Sequence, residues 1–167
     1  MGPAYDFIKK NGLASEISYP YNGLNLKHGV CNRSKSAGAA SAKISGYIAT
    51  TGEENLLEAV ARQPVSVGIK GSGQDFQLYY GGIFDYDLDM RGDGCRGVHG
   101  RDDLDHAVAV VGYGTDENSN TKYWLIKNSW GEAWGEAGFM KIKRNPDGPY
   151  GSLGMCGLAI DVSYPIL

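Results

Sequence analysis

The spacing of apolar residues predicts two helices in the first part of the chain. Residues 4–12 place apolar side chains on one helical face and end in Asn11-Gly12, which is typical of a helix terminus. A second helix is predicted between Thr51 and Gln63. There, Thr51 and Glu54 match a capping box, and an apolar stripe at helical spacing follows them.

Alternating apolar and polar residues predict strands in the rest of the chain. Gly, Asn and Asp separate most of these runs, as in turns between neighbouring strands. The pattern therefore predicts an α+β fold, with a helix packed on an antiparallel, barrel-like sheet. The predicted strands are Val65–Ile69, His106–Tyr113, Tyr123–Asn128, Gly138–Lys143 and Leu158–Val162.

Composition excludes several classes of protein. The 167 residues are 42% hydrophobic and 21% charged with a net charge of −3, which favours a folded domain over disorder. No basic face is evident, so we expect no nucleic-acid partner. No apolar run is long enough to span a membrane, and the first ten residues lack the apolar stretch of a signal peptide.

Three residues at the ends of predicted strands could form a proton-transfer site. His106 opens one strand, while Asn128 and Trp130 follow the next one. If the two strands pair antiparallel, the Asn128 side-chain oxygen can accept an imidazole N–H and fix the ring, while the indole excludes water. Taken singly, each residue also fits a structural role: a satisfied histidine, a turn asparagine and a core tryptophan.

The motifs around these residues resemble the C-terminal part of papain-like cysteine proteases. The resemblance covers nearly the whole chain and rests on sequence runs that include QPVSV, DFQLY, GGIF, DHAVAVVGYG, YWLIKNSWG, WGE, GFMKIKR and CGL. It implies a cysteine-type endopeptidase fold in which residues 1–47 are a remnant of the helical half. Residues 48–167 would then be the barrel-like half.

The resemblance assigns a catalytic role to each residue of the predicted site. His106 would be the imidazole that pairs with a cysteine thiolate and later protonates the leaving amine. Asn128 would orient His106, and Trp130 would shield their hydrogen bond. The backbone of Asp105 would line the cleft.

The resemblance also places Gly68, Leu104 and Asp161 in the pocket for the substrate's second residue. Asp161 would lie near the floor of this pocket. A carboxylate there could accept a basic side chain, whereas an apolar preference is more common in the family. Asp161 could also be a solvated surface residue.

The nucleophilic cysteine expected from the family is absent from these residues. In papain-like proteases it lies about 130–150 residues before the histidine, within a Cys-Trp pair, and this sequence has no such pair. The expected oxyanion glutamine would also lie upstream. We therefore expect the 167-residue chain to be inactive alone and to need the missing N-terminal portion as a partner. The alternatives are a non-catalytic module that binds peptides or inhibitors, and an incomplete gene product without a separate role.

The three cysteines have different expected states. By resemblance, Cys95 and Cys156 form a disulfide, and Cys31 has lost a partner that lies upstream; Cys31 could instead be a buried free thiol. Cys95 and His99 are only half of a metal-ligand set, so we expect no metal and no cofactor.

Other features bear on partners and location. The expected partners are a peptide or protein substrate or a proteinaceous inhibitor. Asn32-Arg33-Ser34 is a glycosylation sequon, and with a disulfide it favours the secretory pathway, the lysosome or vacuole, or the extracellular space.

Overall fold

A computed structural model describes residues 1–21, 30–32, 34–35, 40–85, 95, 98–145 and 153–167. Residues 34–35 are helical, and three further α-helices and nine strands lie complete within these ranges. They are α1 (Gly2–Asn11), β1 (Leu13–Ala14), β2 (Ala40–Ala42), β3 (Gly46–Thr50), α2 (Glu53–Val60), β4 (Val65–Ile69), α3 (Gln74–Gln77), β5 (Ile83–Phe84), β6 (His106–Thr115), β7 (Lys122–Lys127), β8 (Phe139–Lys143) and β9 (Val162–Ile166). Short 3₁₀ turns cover Arg101–Asp103 and Met155–Gly157.

Seven of the strands form one mixed sheet in the order β3-β9-β4-β6-β7-β8-β5. The central pairs, β4 with β6, β6 with β7 and β7 with β8, are antiparallel, and the last two join runs that the sequence analysis separated by turns. The edge strand β5 instead runs parallel to β8. The α+β class is therefore confirmed, and the sheet is mixed rather than purely antiparallel.

The core lies on one face of the sheet, because apolar residues alternate along each central strand. Leu56 and Val60 of α2 are buried with it in the same hydrophobic cluster. The strand residues in that cluster include Val65, Val67, Ile69, Val108, Val110, Trp124, Ile126, Met140 and Ile142.

The predicted start of the second helix is wrong. The helix is capped by Gly52 at φ 92°, with no side-chain cap, and the Gly52 N–H donates to the Ala159 carbonyl at 2.8 Å. Glu53 is buried and accepts a 2.8 Å hydrogen bond from the Trp124 indole. Tertiary contacts therefore set where this helix begins, and the local capping pattern from Thr51 does not form.

The predicted last strand is also displaced. It covers Val162–Ile166, whereas the sequence pattern placed it at Leu158–Val162. The preceding residues form a 3₁₀ turn in which Cys156 has φ 56° and Gly157 has φ 74°. Because these left-handed conformations break an extended chain, the apolar residues after Cys156 lie in a buried turn instead of a strand.

The chain divides into two compact units. The first comprises Met1–Ile48 with Pro165–Leu167, where Tyr5 stacks on Tyr47 at 5.2 Å. The second, Ala49–Tyr164, contains most of the sheet and every residue of the predicted His106 site. The domain boundary at residues 47 and 48 stays a prediction. In the described part of the chain, no helix is both long and apolar enough to cross a membrane.

Candidate active site

The register of the sheet brings His106 and Asn128 together. His106 is the first residue of β6, and Asn128 directly follows the last residue of β7. Because β6 and β7 are antiparallel, the start of one strand lies beside the end of the other. The His106 Nε2 atom lies 2.9 Å from the Asn128 Oδ1 atom.

The orientation of the Asn128 amide is fixed by a second contact. Its Oδ1 accepts the Ser129 backbone N–H at 2.8 Å, so this atom is the acceptor toward His106 as well. The side chain is only 8% exposed, and its Nδ2 has no hydrogen-bond partner among the described residues. An acceptor facing Nε2 requires that this nitrogen carry the proton, which leaves Nδ1 to exchange a proton with a reacting group.

The Trp130 indole covers one face of the His106 imidazole. The two rings stack with centroids 4.9 Å apart and planes 27° apart. Trp130 remains 41% exposed, so it separates the imidazole from water on one side and faces solvent on the other. An indole in this position can limit water near the hydrogen bond between His106 and Asn128, and a drier environment strengthens such a bond.

Two further aromatic residues, Phe76 and Trp134, pack against Trp130. Phe76 of α3 is fully buried and meets the Trp130 ring edge-on at 5.7 Å and the His106 ring at 6.2 Å. The Trp134 ring lies 5.3 Å from Trp130, and its indole N–H donates to the Gln77 carbonyl at 3.0 Å. Although Phe76 belongs to a run used for the resemblance, the sequence did not indicate its contact with His106.

The end of β4 holds the other side of His106. A Cβ on Gly71 would lie 2.8 Å from the His106 Cβ, so the backbone passes directly against the histidine. The Gly71 N–H donates to Asp105 Oδ1 at 2.7 Å, and the Asp105 N–H donates to the Ile69 carbonyl at 3.2 Å. These bonds fix the residue that precedes His106. No sequence pattern indicated the role of Gly71, because its contact with His106 arises only when β4 and β6 pair.

The Asp105 carboxylate is stabilised in its charged form. Partial burial raises its pKa, but hydrogen bonds from the Ser72 side chain and the Gly71 backbone, with the nearby Lys70 charge, lower the pKa overall. Lys70 Nζ lies 3.5 Å from Asp105 Oδ2. The residue before His106 therefore carries a negative charge held by hydrogen bonds and by Lys70, whereas the sequence analysis predicted a role only for the Asp105 backbone.

Gly68, Leu104 and Asp161 also come together. A Cβ on Gly68 would lie 2.9 Å from Leu104 Cδ1 and 3.3 Å from the Asp161 Cβ. Gly68 pairs with Ala107, the residue after His106, so this group lies beside the beginning of β6. Asp161 is not a freely solvated residue, since Arg101 Nη2 lies 3.0 Å from its Oδ1.

The cysteines occupy two different environments. Cys95 and Cys156 form a disulfide and are fully buried, which also removes Cys95 from metal binding. Cys31 is a free, exposed cysteine, so the alternative of a buried thiol is wrong. In the described residues, no group of three His, Cys, Asp or Glu side chains is placed to hold a metal ion.

The sequon lies partly outside the described residues, because Arg33 is not among them. Asn32 itself is exposed. Its Oδ1 accepts the Ser34 hydroxyl at 2.7 Å and the Lys35 N–H at 3.2 Å. Glycosylation of Asn32 stays a prediction.

Comparison with known proteins identifies the class to which this arrangement belongs. The model of the "Papain family cysteine protease" matches residues 1–166. The chain therefore belongs to the papain family of cysteine proteases.

Similar sequences are plant proteases. The chain is 43% identical over 169 residues to "Cysteine endopeptidase RepA" of Oryza sativa subsp. japonica, covering 99% of this chain and 40% of that protein. It is 43% identical to "KDEL-tailed cysteine endopeptidase CEP2" of Arabidopsis thaliana, covering 98% of this chain and 40% of that protein. The chain thus spans about 40% of the length of these relatives.

Similar solved structures carry the same fold. The bromelain protease from Ananas comosus in complex with the E64 inhibitor matches with a TM-score of 0.79 and 38% identity, covering 99% of this chain and 68% of that one. The proform of the ragweed pollen allergen Amb a 11 matches with a TM-score of 0.78 and 36% identity, covering 100% of this chain and 45% of that one.

Proposed function

We propose that this chain carries the proton-transfer half of a cysteine-type endopeptidase. His106 is the general acid and base, Asn128 orients it, and Trp130 shields their contact. The 2.9 Å hydrogen bond between His106 and Asn128 carries this proposal, because it selects the imidazole tautomer that the chemistry needs.

The chemistry follows from that tautomer. Nδ1 of His106 accepts the proton of a cysteine thiol, and the resulting thiolate attacks the peptide carbonyl carbon. The imidazolium then returns this proton to the amine as the carbon–nitrogen bond breaks, which leaves an acyl-enzyme for water to hydrolyse. Asn128 Oδ1 accepts the hydrogen bond from Nε2–H throughout, and the proton stays on Nε2, so the ring keeps its orientation.

In this proposal the nucleophilic cysteine is supplied by a polypeptide segment that is not part of these 167 residues. Cys95 and Cys156 are bonded to each other, and Cys31 is followed by Asn32 and not by the tryptophan of the family's Cys-Trp pair. We therefore propose that the 167 residues alone do not hydrolyse peptides. The substrate is a peptide or protein, and proteinaceous inhibitors would bind at the same place.

The same cysteine pattern favours a second candidate, a module that binds peptides without cutting them. Its surface near His106 would still offer Gly68, Leu104 and the Asp105 backbone to an extended peptide. Peptide binding without cleavage, both by the 167 residues alone and after they are joined to a segment that carries the nucleophile, would support this candidate over the protease.

We also propose that the protein works in the secretory pathway or in a compartment reached through it. A buried disulfide persists in oxidising compartments. A similar protein is described as KDEL-tailed, and this tail is an address for retention in the endoplasmic reticulum.

The test joins this chain to a segment that carries the Gln and Cys-Trp of a papain-family relative. We expect the joined protein to cleave a fluorogenic dipeptidyl substrate, iodoacetamide to abolish cleavage, and the 167 residues alone to show none. Cys31→Ser in the joined protein is the matched control and should retain activity.

Three results would contradict the protease proposal. The joined protein could remain inactive while binding peptides, His106→Ala could leave its cleavage rate unchanged, or the 167 residues alone could cleave the substrate in a thiol-dependent manner.

A further inference from the structure

We propose that Lys70 is a positioning residue for His106, on which it acts through the Asp105 carboxylate and the backbone of Gly71. The inference rests on the proposed function, because it concerns how the imidazole is kept in place for proton transfer. Two observations carry it. One is the ion pair between Lys70 and Asp105, and the other is the close approach of the Gly71 backbone to one edge of the imidazole.

Gly71 bears on the same hydrogen bond that the proposed function depends on. A Cβ on the buried Gly71 would lie 3.0 Å from the His106 Cδ2 atom and 3.1 Å from its Cγ atom, so the Gly71 backbone lies along this edge of the ring. Cδ2 is bonded to Nε2, the nitrogen that faces Asn128. If the Gly71 backbone moved away, the ring could turn about its Cβ–Cγ bond and lengthen its contact with Asn128.

The Asp105 carboxylate ties Gly71 to the residue that precedes His106. Its Oδ1 accepts the Gly71 N–H at 2.7 Å, and the carboxylate also accepts a hydrogen bond from the Ser72 side chain. Lys70 Nζ lies 3.5 Å from the other oxygen, Oδ2. Both oxygens are therefore engaged, and loss of the Lys70 charge would allow the carboxylate to rotate toward solvent and release Gly71.

Lys70 is itself held at its backbone. Its N–H donates to the carbonyl of Cys156, a fully buried residue that is bridged to Cys95. Its side chain is 30% exposed and that of Asp105 is 35% exposed. An ion pair with this exposure is partly screened by solvent, so we expect a moderate effect on the position of the imidazole.

The experiment measures kcat and KM of the joined protein with Lys70→Met, which keeps a long side chain and removes its charge. We expect kcat to fall about three- to tenfold while KM changes little, because the imidazole loses part of its support. Lys70→Arg should restore most of the lost kcat, since a guanidinium can also pair with Asp105. Lys122→Met is the matched control, at an exposed lysine that begins β7 at the end distant from Asn128, and should leave both parameters unchanged.

A double-variant cycle tests whether Lys70 acts through Asp105. Asp105→Asn keeps an oxygen that can accept the Gly71 N–H but removes the charge that pairs with Lys70. When Asp105→Asn is already present, Lys70→Met should lower kcat no further. A second fall of the same size would show that Lys70 acts independently of Asp105 and would overturn the inference.

NMR of the 167-residue chain tests the same contact without catalysis. The nuclear Overhauser effect between the Gly71 Hα protons and the His106 Hδ2 proton should weaken in Lys70→Met and persist in Lys70→Arg. An unchanged kcat or an unchanged Overhauser effect in Lys70→Met would overturn this inference, while cleavage by the joined protein would leave the protease proposal intact. Failure of the joined protein itself to cleave would overturn both.

Discussion

The His106 imidazole and the Asn128 amide meet across two adjacent strand ends, with Nε2 and Oδ1 2.9 Å apart. The residues are 22 positions apart in sequence, and the intervening chain is largely the β6–β7 pair. The geometry of the proposed site therefore depends on sheet register. A shift of one residue in either strand would turn one of the two side chains to the opposite face.

Replacing Asn128 should impair catalysis more than binding. In the joined protein we expect Asn128→Ala to lower kcat about 10- to 100-fold, because loss of a buried hydrogen bond of about 1–3 kcal/mol frees the imidazole to rotate. KM should change little. Steady-state kinetics would measure both parameters.

The control for this experiment is Ser129→Ala, since Ser129 contacts Asn128 through its backbone N–H and not its side chain. An equal loss of kcat in both variants would argue against an orienting role for Asn128.

Replacing Trp130 should expose the imidazole to water. We expect Trp130→Ala to lower the free energy of unfolding by about 2–4 kcal/mol, because the ring contacts with His106, Phe76 and Trp134 are lost and each is worth about 1 kcal/mol. Exchange of the His106 Nε2 proton with solvent should also accelerate, as measured by NMR. Trp130→Phe should show both effects more weakly, since it keeps a ring on the imidazole.

Tyr80→Ala provides a control for that measurement, because Tyr80 is an aromatic residue with 89% exposure. A proton exchange rate in Trp130→Ala equal to that of the unaltered chain would contradict the shielding role.

Replacing Asp105 should change stability at acid pH. Its pKa is lowered in the folded state, so its charge stabilises the fold above the ordinary aspartate pKa of about 3.9 and this stabilisation is lost as pH falls through the lowered value. We expect Asp105→Asn to lose less stability than the unaltered chain on acidification. Urea unfolding at a series of acid pH values would measure how the free energy of unfolding of each protein changes with pH. An identical pH dependence for Asp105→Asn and the unaltered chain would contradict the prediction.

Glu53 should show the opposite pH dependence. Burial raises its pKa, against hydrogen bonds from Trp124 and Asn145 and the Arg144 charge. A raised carboxyl pKa means that stability is fully present below the ordinary value of about 4.3 and decreases as pH rises through the raised one. Glu53→Gln should remove that decrease.

The prediction for Glu53 is tested by the change in the free energy of unfolding with pH, and not by its value at one pH. A glutamine would place a donor near the Asn145 N–H, which now donates to Glu53 Oε2 at 2.6 Å, and this costs about 1 kcal/mol at every pH. A variant whose stability still falls over the same pH interval would show that another group titrates there.

Strand alternation was sufficient to predict the part of the fold that positions the proposed site. Val65–Ile69 matches β4, and the runs that begin at His106 and Tyr123 match β6 and β7 closely. These strands were predictable because one face of each is buried, which imposes a period of two on the sequence. The pairing of His106 with Asn128 then followed from two neighbouring antiparallel strands.

The sequence failed where distant contacts override local preference. The start of α2 depends on burial of Glu53 against Trp124, 71 positions away, and no local pattern contains that information. The ion pair of Arg101 with Asp161 joins residues 60 positions apart. The close approach of Gly71 to His106 likewise depends on strand register, and none of these contacts has a signature within its own segment.

The burial of the Cys95–Cys156 bridge determines the order in which chemical reagents should reach the three sulfurs. Both bridged sulfurs belong to fully buried residues, whereas Cys31 is exposed. An alkylating reagent should therefore react with the Cys31 thiol, while a mild reducing reagent should leave the buried bridge intact. The Cys156 carbonyl accepts the Lys70 N–H at 2.9 Å, one residue from the backbone that touches the imidazole. Any thiol-dependent assay of the protein should therefore use a reducing reagent at a concentration that leaves this bridge intact.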